Sequence, residues 1–378
     1  MAFGAFNVPE MFYNPVMQIK DNRLIQGQRA RARGAASNTT GRFETQARVA
    51  YDDGWELEET DRLIKTEVRV EVPRSALTYN RSPDLPFDRS INPYRGCEHG
   101  CIYCFARPSH AFLNLSPGLD FETRLIARPG IGAVLDRELR SRSYRVAPVA
   151  LGTNTDPYQP CEAEYGVMRE VLEVLWAHRH PVAITTKGTL IERDLDLLAP
   201  MAAAGLLRVG VSVTTLDPDL SRKMEPRAAS PLRRLEVIRR LAAAGIPVRA
   251  MLAPVVPGLT DHEIEPLLKA VAEAGALAAS FIALRLPLEV SPLFQDWLAQ
   301  HYPDRAAKVM GRVRDLHGGR DYDPEFGKRM VGSGIWAKLM ARRFDLAVAR
   351  YGLATKLPPL RCDLFCPPLA KGDQLSLF

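Results

Sequence analysis

Between residues 88 and 286, short β-branched or apolar runs alternate with longer stretches whose apolar positions recur at helical spacing. The short runs are RSINPY (89–94), APVALGT (147–153), PVAITT (181–186), LLRVGVSV (206–213), PVRAMLAPV (247–255) and ASFIALRL (279–286). Their lengths, β-branched content and Gly, Pro or polar borders predict strands. EYGVMREVLEVLWAHR, LIERDLDLLAPMAAAG and SPLRRLEVIRRLAAAG fill gaps between them, and the last two stop at a glycine, as helices commonly do. A parallel strand pair needs a crossover, and a helix supplies it, so the alternation predicts a parallel sheet. Six strands predict an α/β fold, a partial (β/α)6 barrel over residues 86–287. Chemistry in such folds sits on loops after the carboxyl ends of the strands. No GxGxxG follows any strand, so a dinucleotide-binding Rossmann reading lacks its main support.

The flanks follow other rules. Residues 1–85 predict an N-terminal extension, and its segment from Lys20 to Arg48 is basic, polar and nearly free of apolar periodicity. Such a segment predicts a flexible, solvated arm able to touch nucleic acid. Residues 288–352 carry three helix patterns, PLFQDWLAQHY, RAAKVMGRVRDLH and PEFGKRMVGSGIWAKLMARRFDLAVARYG, and predict a helical C-terminal extension. The Pro-rich remainder, 353–378, predicts an exposed tail.

The 378 residues are 46% hydrophobic and 25% charged, ordinary for a folded protein with a substantial core. A formal net charge of +6 is compatible with phosphate-bearing partners without naming one. The opening MAFGAFNVPEMFYNPVMQ has no basic start followed by a continuous apolar run, and no later run is long enough to span a bilayer. A cytoplasmic location without membrane contact is the expectation. Reduced thiols there serve metal or redox chemistry more often than disulfides.

Three of the six cysteines, Cys97, Cys101 and Cys104, crowd into INPYRGCEHGCIYCFAR (91–107), just after the first predicted strand. Thiolates so close can converge on a soft metal centre. Two readings stand. A structural zinc site needs a fourth ligand, for which His99 or His110 is available. A [4Fe–4S] cluster held by three cysteines leaves one iron open to a second molecule.

The C-x3-C-aromatic-C spacing with Tyr103 before the third cysteine, after the first strand of a partial barrel, resembles the radical S-adenosylmethionine (radical SAM) superfamily. The resemblance implies that the open iron chelates the amino and carboxylate groups of SAM. Reductive cleavage then yields a 5′-deoxyadenosyl radical, with a flavodoxin- or ferredoxin-type protein as electron donor. GTNTD (152–156), ITTKGTLIERDLDLL (184–198) and the stretch 211–258, above all MEPRAASPLRRLE, resemble the branch typified by spore photoproduct lyase. That likeness covers roughly residues 88 to 260 and implies an enzyme acting on nucleic acid, a DNA lesion or modified base, with RNA or peptide as alternative targets.

By the same resemblance Lys187 is a ligand for the SAM carboxylate and Ser212 its polar neighbour; without it they read as a solvated lysine and a small residue in a sheet. Asn154, Thr155 and Asp156 are candidates for the methionine amino group or the ribose hydroxyls, or else cap a Pro-punctuated turn. The branch places a hydrogen-donating cysteine where this chain has Gly152, and a tyrosine where it has Phe105. Cys161 is the candidate substitute thiol, the other reading being a half-buried core cysteine. Cys362 and Cys366 are unpaired tail thiols or, with Cys161, a relay or second metal site. The terminal Gln374-Leu375-Ser376-Leu377-Phe378 resembles the peptide with which bacterial repair proteins bind the sliding clamp. A non-catalytic, metal-stabilised adaptor between clamp and nucleic acid is the competing class of function.

Overall fold

The computed structural model describes residues 32–44 and 64–369. Gln374 to Phe378 and most of the basic arm lie outside the described residues. Ten strands occur in chain order: β1 (Glu67–Val70), β2 (Leu77–Tyr79), β3 (Arg89–Ile91), β4 (Tyr94–Arg95), β5 (Arg124–Ala127), β6 (Val149–Leu151), β7 (Val182–Thr186), β8 (Leu207–Ser212), β9 (Val248–Val255) and β10 (Ala278–Ala283). The main sheet runs β10-β9-β8-β7-β6-β3-β2. All its pairings are parallel except β2 with β3. The six expected strands are thus neighbours in the expected order, and the curved sheet stays open as a partial TIM-type barrel. A three-stranded sheet, β1-β5-β4, stands beside it.

The face that a parallel sheet turns to its crossover helices must be apolar. Val149, Leu151, Val182, Ile184, Val209, Val211, Val248 and Ala250 make up that buried face, alternating with half-buried positions such as Ala183, Arg208 and Arg249. Each fully buried Val, Leu or Ile contributes about 1.5–3 kcal/mol by leaving water. The crossover helices end where local chemistry ends them. Helix Pro231–Ala243 starts at Ser230, whose Oγ accepts from Arg233 N–H, carries proline in its first turn and is followed by Gly245 at φ 73°. Helix Val167–Ala177 begins one residue after Gly166, at φ 61°, which breaks the longer pattern expected over 164–179.

The C-terminal region holds helices Val290–His301, Pro303–Leu316 and Gly334–Arg350. The third is shorter than its pattern: Gly327 and Gly332, at φ 81° and 75°, keep residues 324–333 in turns. The tail expectation is corrected up to residue 369. Arg361 N–H donates to Gly205 O, Cys366 N–H to His178 O, and Phe365 packs edge-on against His180. Those partners precede β7 and β8, so this segment straps the amino ends of the strands. The arm is also corrected where it is described: Ala35 and Ser37 are buried against the cysteine loop rather than solvated.

Candidate functional site

Cys97, Cys101 and Cys104 follow β4 in a chain of turns. Cys97 O accepts from Gly100 N–H at 3.3 Å, Cys101 O from Cys104 N–H at 3.2 Å, and Cys104 O from Arg107 N–H at 3.2 Å. Gly100 sits at φ 67°, and a Cβ there would meet Glu122 Oε2 at 2.6 Å. The spacing therefore folds three thiols into one compact loop, with Cys97 and Cys101 buried and Cys104 half-buried.

Four strips of chain hold this loop from outside. Buried Arg107 donates to Cys101 O at 3.0 Å, to Gly100 O at 3.2 Å, and pairs with buried Glu122. Glu122 also accepts from Gly34 N–H and Ala35 N–H, each at 2.9 Å. A Cβ on Gly34 would lie 1.9 Å from Gly100 O, so only glycine allows that approach. On the other side Ile102 N–H donates to Met224 O and Arg227 N–H to His99 O. Glu98 N–H donates to Gln159 Oε1 at 2.8 Å, and Thr155 Oγ1 to Gly96 O at 2.5 Å.

Behind the loop lies a buried charged network that sequence reasoning left unassigned. Glu225 accepts from Tyr103 Oη, from Thr214 Oγ1 at 2.8 Å and from Arg234. Arg234 further donates to Ser212 O at 3.1 Å and Ala229 O at 2.7 Å. Burial alone would raise the Glu225 carboxyl, but Arg234 and Lys187 bring it down to about 2. Glu225 and Arg234 both belong to MEPRAASPLRRLE, so the motif was visible and only the fold shows that its two charges meet. Lys187, just past β7, holds its Nζ 5.9 Å from the centre of the Tyr103 ring. Burial pushes its ammonium down, but Cys101 and Glu225 outweigh that and the net shift is upward.

The donor set fits an iron–sulfur group. Burial pushes the Cys97 thiol well up and the Cys101 thiol to about 12, and the cysteine charges raise one another. Thiols so placed stay protonated unless a metal draws the protons off, and a cationic cluster does so. Among the described residues no three His, Cys, Asp or Glu side chains converge on a single-ion position. A cubane meets each thiolate at a different iron, so its ligands stand apart. Of the two histidines considered as a fourth ligand, His99 Nδ1 lies 3.3 Å from Asp156 Oδ2 and His110 Nε2 lies 2.9 Å from Arg124 O.

The remaining candidates separate. Asp156 ties the loop after β6 to the end of β7: its carboxylate accepts from Thr186 Oγ1 at 2.6 Å, Lys187 N–H at 2.7 Å and Tyr158 N–H at 2.9 Å. Thr155 is engaged with Gly96 and Gln159. Asn154 is exposed and lines a groove of about 780 Å³ with Arg74, Arg95, Arg128 and Phe112. Ser212 Oγ donates to Ala253 O at 3.2 Å. Cys161 is buried at the start of helix Glu162–Tyr165, and burial, with Glu98 and Glu162 nearby, pushes its thiol well up. Gly152, at φ 86°, would place a Cβ 1.9 Å from Thr185 O, so the backbone itself excludes a cysteine there. Cys362 and Cys366 lie with the strap at the amino ends of the strands, away from Cys161, which removes the relay among the three.

Comparisons with known proteins agree with this geometry. Residues 91–271 match the model of the Radical SAM superfamily. Uncharacterized proteins of Mycobacterium tuberculosis and Mycobacterium bovis are 40% identical over 274 residues, 71% of this chain and 78% of theirs. Among solved structures, spore photoproduct lyase complexed with dinucleoside spore photoproduct shares the fold at a TM-score of 0.54 and 18% identity, over 76% of this chain and 81% of that one. A variant of that lyase with bound AdoMet aligns at a TM-score of 0.54 and 17% identity, over 78% of this chain and 86% of that one. No helix among the described residues is long and apolar enough to cross a membrane.

Proposed function

Because residues 91–271 match the Radical SAM superfamily, we propose that Cys97, Cys101 and Cys104 hold a [4Fe–4S] cluster at which SAM is reductively cleaved, and that the substrate is nucleic acid. The observation that carries the reading is the cysteine loop itself, with Tyr103 and Lys187 packed at its side. When bound, the cluster supplies the electron that splits a carbon–sulfur bond of SAM and so provides a 5′-deoxyadenosyl radical.

The chain's own residues prepare that site. Lys187, kept charged by Cys101 and Glu225, offers an ammonium to the SAM carboxylate. Glu225 fixes Tyr103 Oη and balances Arg234, so the wall behind the loop is rigid and internally neutralised. The exposed Asn154 is the free amide of its loop and is available to a ligand's hydroxyl or amino group. Cys161 keeps its proton, as a hydrogen-atom donor must, but it lies in the core beside Glu162 rather than at position 152. That difference separates this chain's chemistry from simple reversal of a thymine photoproduct.

A nucleic-acid target is supported by the net charge of +6 and by the arginine-lined groove with exposed Phe112, where bases and phosphates find complementary partners. The solved structures that share the fold include one with a dinucleoside lesion. Gln374 to Phe378 would carry the enzyme to DNA by engaging the sliding clamp, two leucines and a phenylalanine filling an apolar pocket. A flavodoxin- or ferredoxin-type donor would deliver the electron.

Anaerobically reconstituted protein given dithionite and SAM is expected to release 5′-deoxyadenosine. None released at full iron and sulfide loading removes the catalytic reading in favour of a metal-stabilised adaptor. Deleting residues 374–378 is expected to abolish clamp capture while SAM cleavage continues; unchanged capture refutes the clamp peptide.

A further inference from the structure

Among the described residues Ala354 pairs with the outer edge of β10, and the main sheet stays open between its two outer strands, β10 and β2. Chain segments bridge the gap between them. Ala283 N–H donates to Met330 O at 2.8 Å, and Arg329 grips Asp84 through Nη2 at 2.6 Å and Nε at 2.8 Å, with Ser82 Oγ at 2.6 Å. The Asp84 carboxylate is therefore fully used by Arg329. Arg285, two residues past β10, faces the same gap and has no such partner. Burial lowers its pKa, Tyr322, Arg329, Cys104 and Asp84 act on it only at a distance, and among the described residues it makes neither a hydrogen bond nor an ion pair. Its one close contact is the ring of Phe105, with the guanidinium carbon 4.1 Å from the centroid. Phe105 directly follows Cys104 and is 45% exposed.

A half-buried guanidinium without a counter-ion has lost part of its hydration for no Coulombic return. Stacking on an aromatic face leaves the donors around its rim free and fixes their plane, the arrangement that binds a planar or tetrahedral oxyanion through two parallel hydrogen bonds. Because Phe105 directly follows Cys104, the guanidinium stands beside the cysteine loop. The carboxylate that acts on it, Asp84, does not compete, because it is held by Arg329.

We propose that Arg285, held flat by Phe105 beside the cysteine loop, binds a phosphodiester of the substrate strand next to the reacting nucleotide. This rests on the nucleic-acid reading above and adds to it a position and a contact. Arg285 supplies the charge and the fork, and Phe105 supplies the orientation.

The test uses full-length reconstituted protein and a short fluorescent single-stranded oligodeoxynucleotide, with Kd measured across a salt series. Arg285→Gln is expected to weaken binding about tenfold and to reduce the slope of log Kd against log salt by about one phosphate contact. Arg285→Lys keeps the charge and loses the fork, so the slope stays near that of the wild type while affinity falls several-fold. Phe105→Leu does the same by releasing the plane. Iron content and melting temperature report whether each variant is folded, and the lysine variant carries the test if the glutamine variant is not. A methylphosphonate walked along the strand should reveal one position that weakens the wild type and leaves Arg285→Gln unaffected. Equal affinity and slope for wild type and Arg285→Gln overturn the proposal while the nucleic-acid reading stands. A wild type that ignores the oligonucleotide but holds an acidic peptide through Arg285 overturns both the phosphodiester and the nucleic-acid reading.

Discussion

The two ends of the barrel are built from different materials. At the carboxyl ends of the strands, buried charges meet: Arg107 with Glu122, Arg234 with Glu225, and Asp156 with the backbone of Lys187. At the amino ends the contacts around the strap are neutral, Tyr144 Oη with His180 Nε2 at 2.6 Å, His180 Nδ1 with Pro181 O at 2.9 Å and Phe365 packed on both rings, and the ion pairs there, Arg89 with Asp88 and Arg140 with Asp136, leave their carboxylates open to solvent. Buried ion pairs seldom raise stability above what an apolar replacement gives, whereas breaking one is expensive. Their concentration at one end points to a purpose other than holding the fold, namely fixing the positions and charges of Tyr103, Lys187 and the cysteine carbonyls. The neutral end does the holding.

That contrast can be broken in descending steps. Cys101→Ala should lose the cluster entirely, because two remaining thiolates do not hold four irons. Iron and sulfide analysis with the visible spectrum checks it, and a full brown chromophore in the variant refutes the ligand assignment. Glu225→Gln leaves Arg234 buried without its counter-charge and should cost about 3–5 kcal/mol in urea unfolding. It should also weaken SAM binding, since Lys187 loses one of the two charges that keep it protonated. A loss of stability under about 1 kcal/mol, the scale of an exposed pair, would show that the network is solvated.

The two ends should also titrate apart. Burial pushes the His180 imidazole from 6.5 down to about 4, so its neutral form is the one the fold prefers. Its contribution is whole above pH 6.5 and is lost as pH falls from there to about 4, a total of about 3 kcal/mol. Glu225, brought from 4.5 down to about 2, loses its contribution in the lower window between those values. Urea midpoints followed against pH should show the upper limb flatten in His180→Gln while the lower limb remains. The smallest effect belongs to Phe365→Ala, about 1–2 kcal/mol for a half-buried ring with aromatic neighbours, with iron loading unchanged.

Sequence pattern carried the parallel strands and the cysteine loop because both are local: periodicity and spacing are written in consecutive residues. Pattern also put Lys187 at the end of one predicted strand and Ser212 inside the next, and the family resemblance singled them out. Arg107, Glu122 and Arg285 were not legible. Each is a lone charge, indistinguishable in one dimension from a solvated surface residue, and the group it meets, a carboxylate, a guanidinium or the Phe105 ring, is not its neighbour in sequence. Gly34 in a basic, apolar-poor stretch gave no sign of close packing, because the contact is backbone to backbone. The tail looked free since Phe365 and Cys366 have no periodic neighbours; their partners precede β7.

The approach of Gly34 to Gly100 has a practical corollary. A fragment cut at residue 86, where the barrel begins, would strip Glu122 of two amide donors and open a slot above Gly100 to water. Such a fragment should keep its parallel strands yet, once reconstituted, bleach quickly in air, because the lid over the cysteine turn is supplied by a stretch of chain far ahead of it.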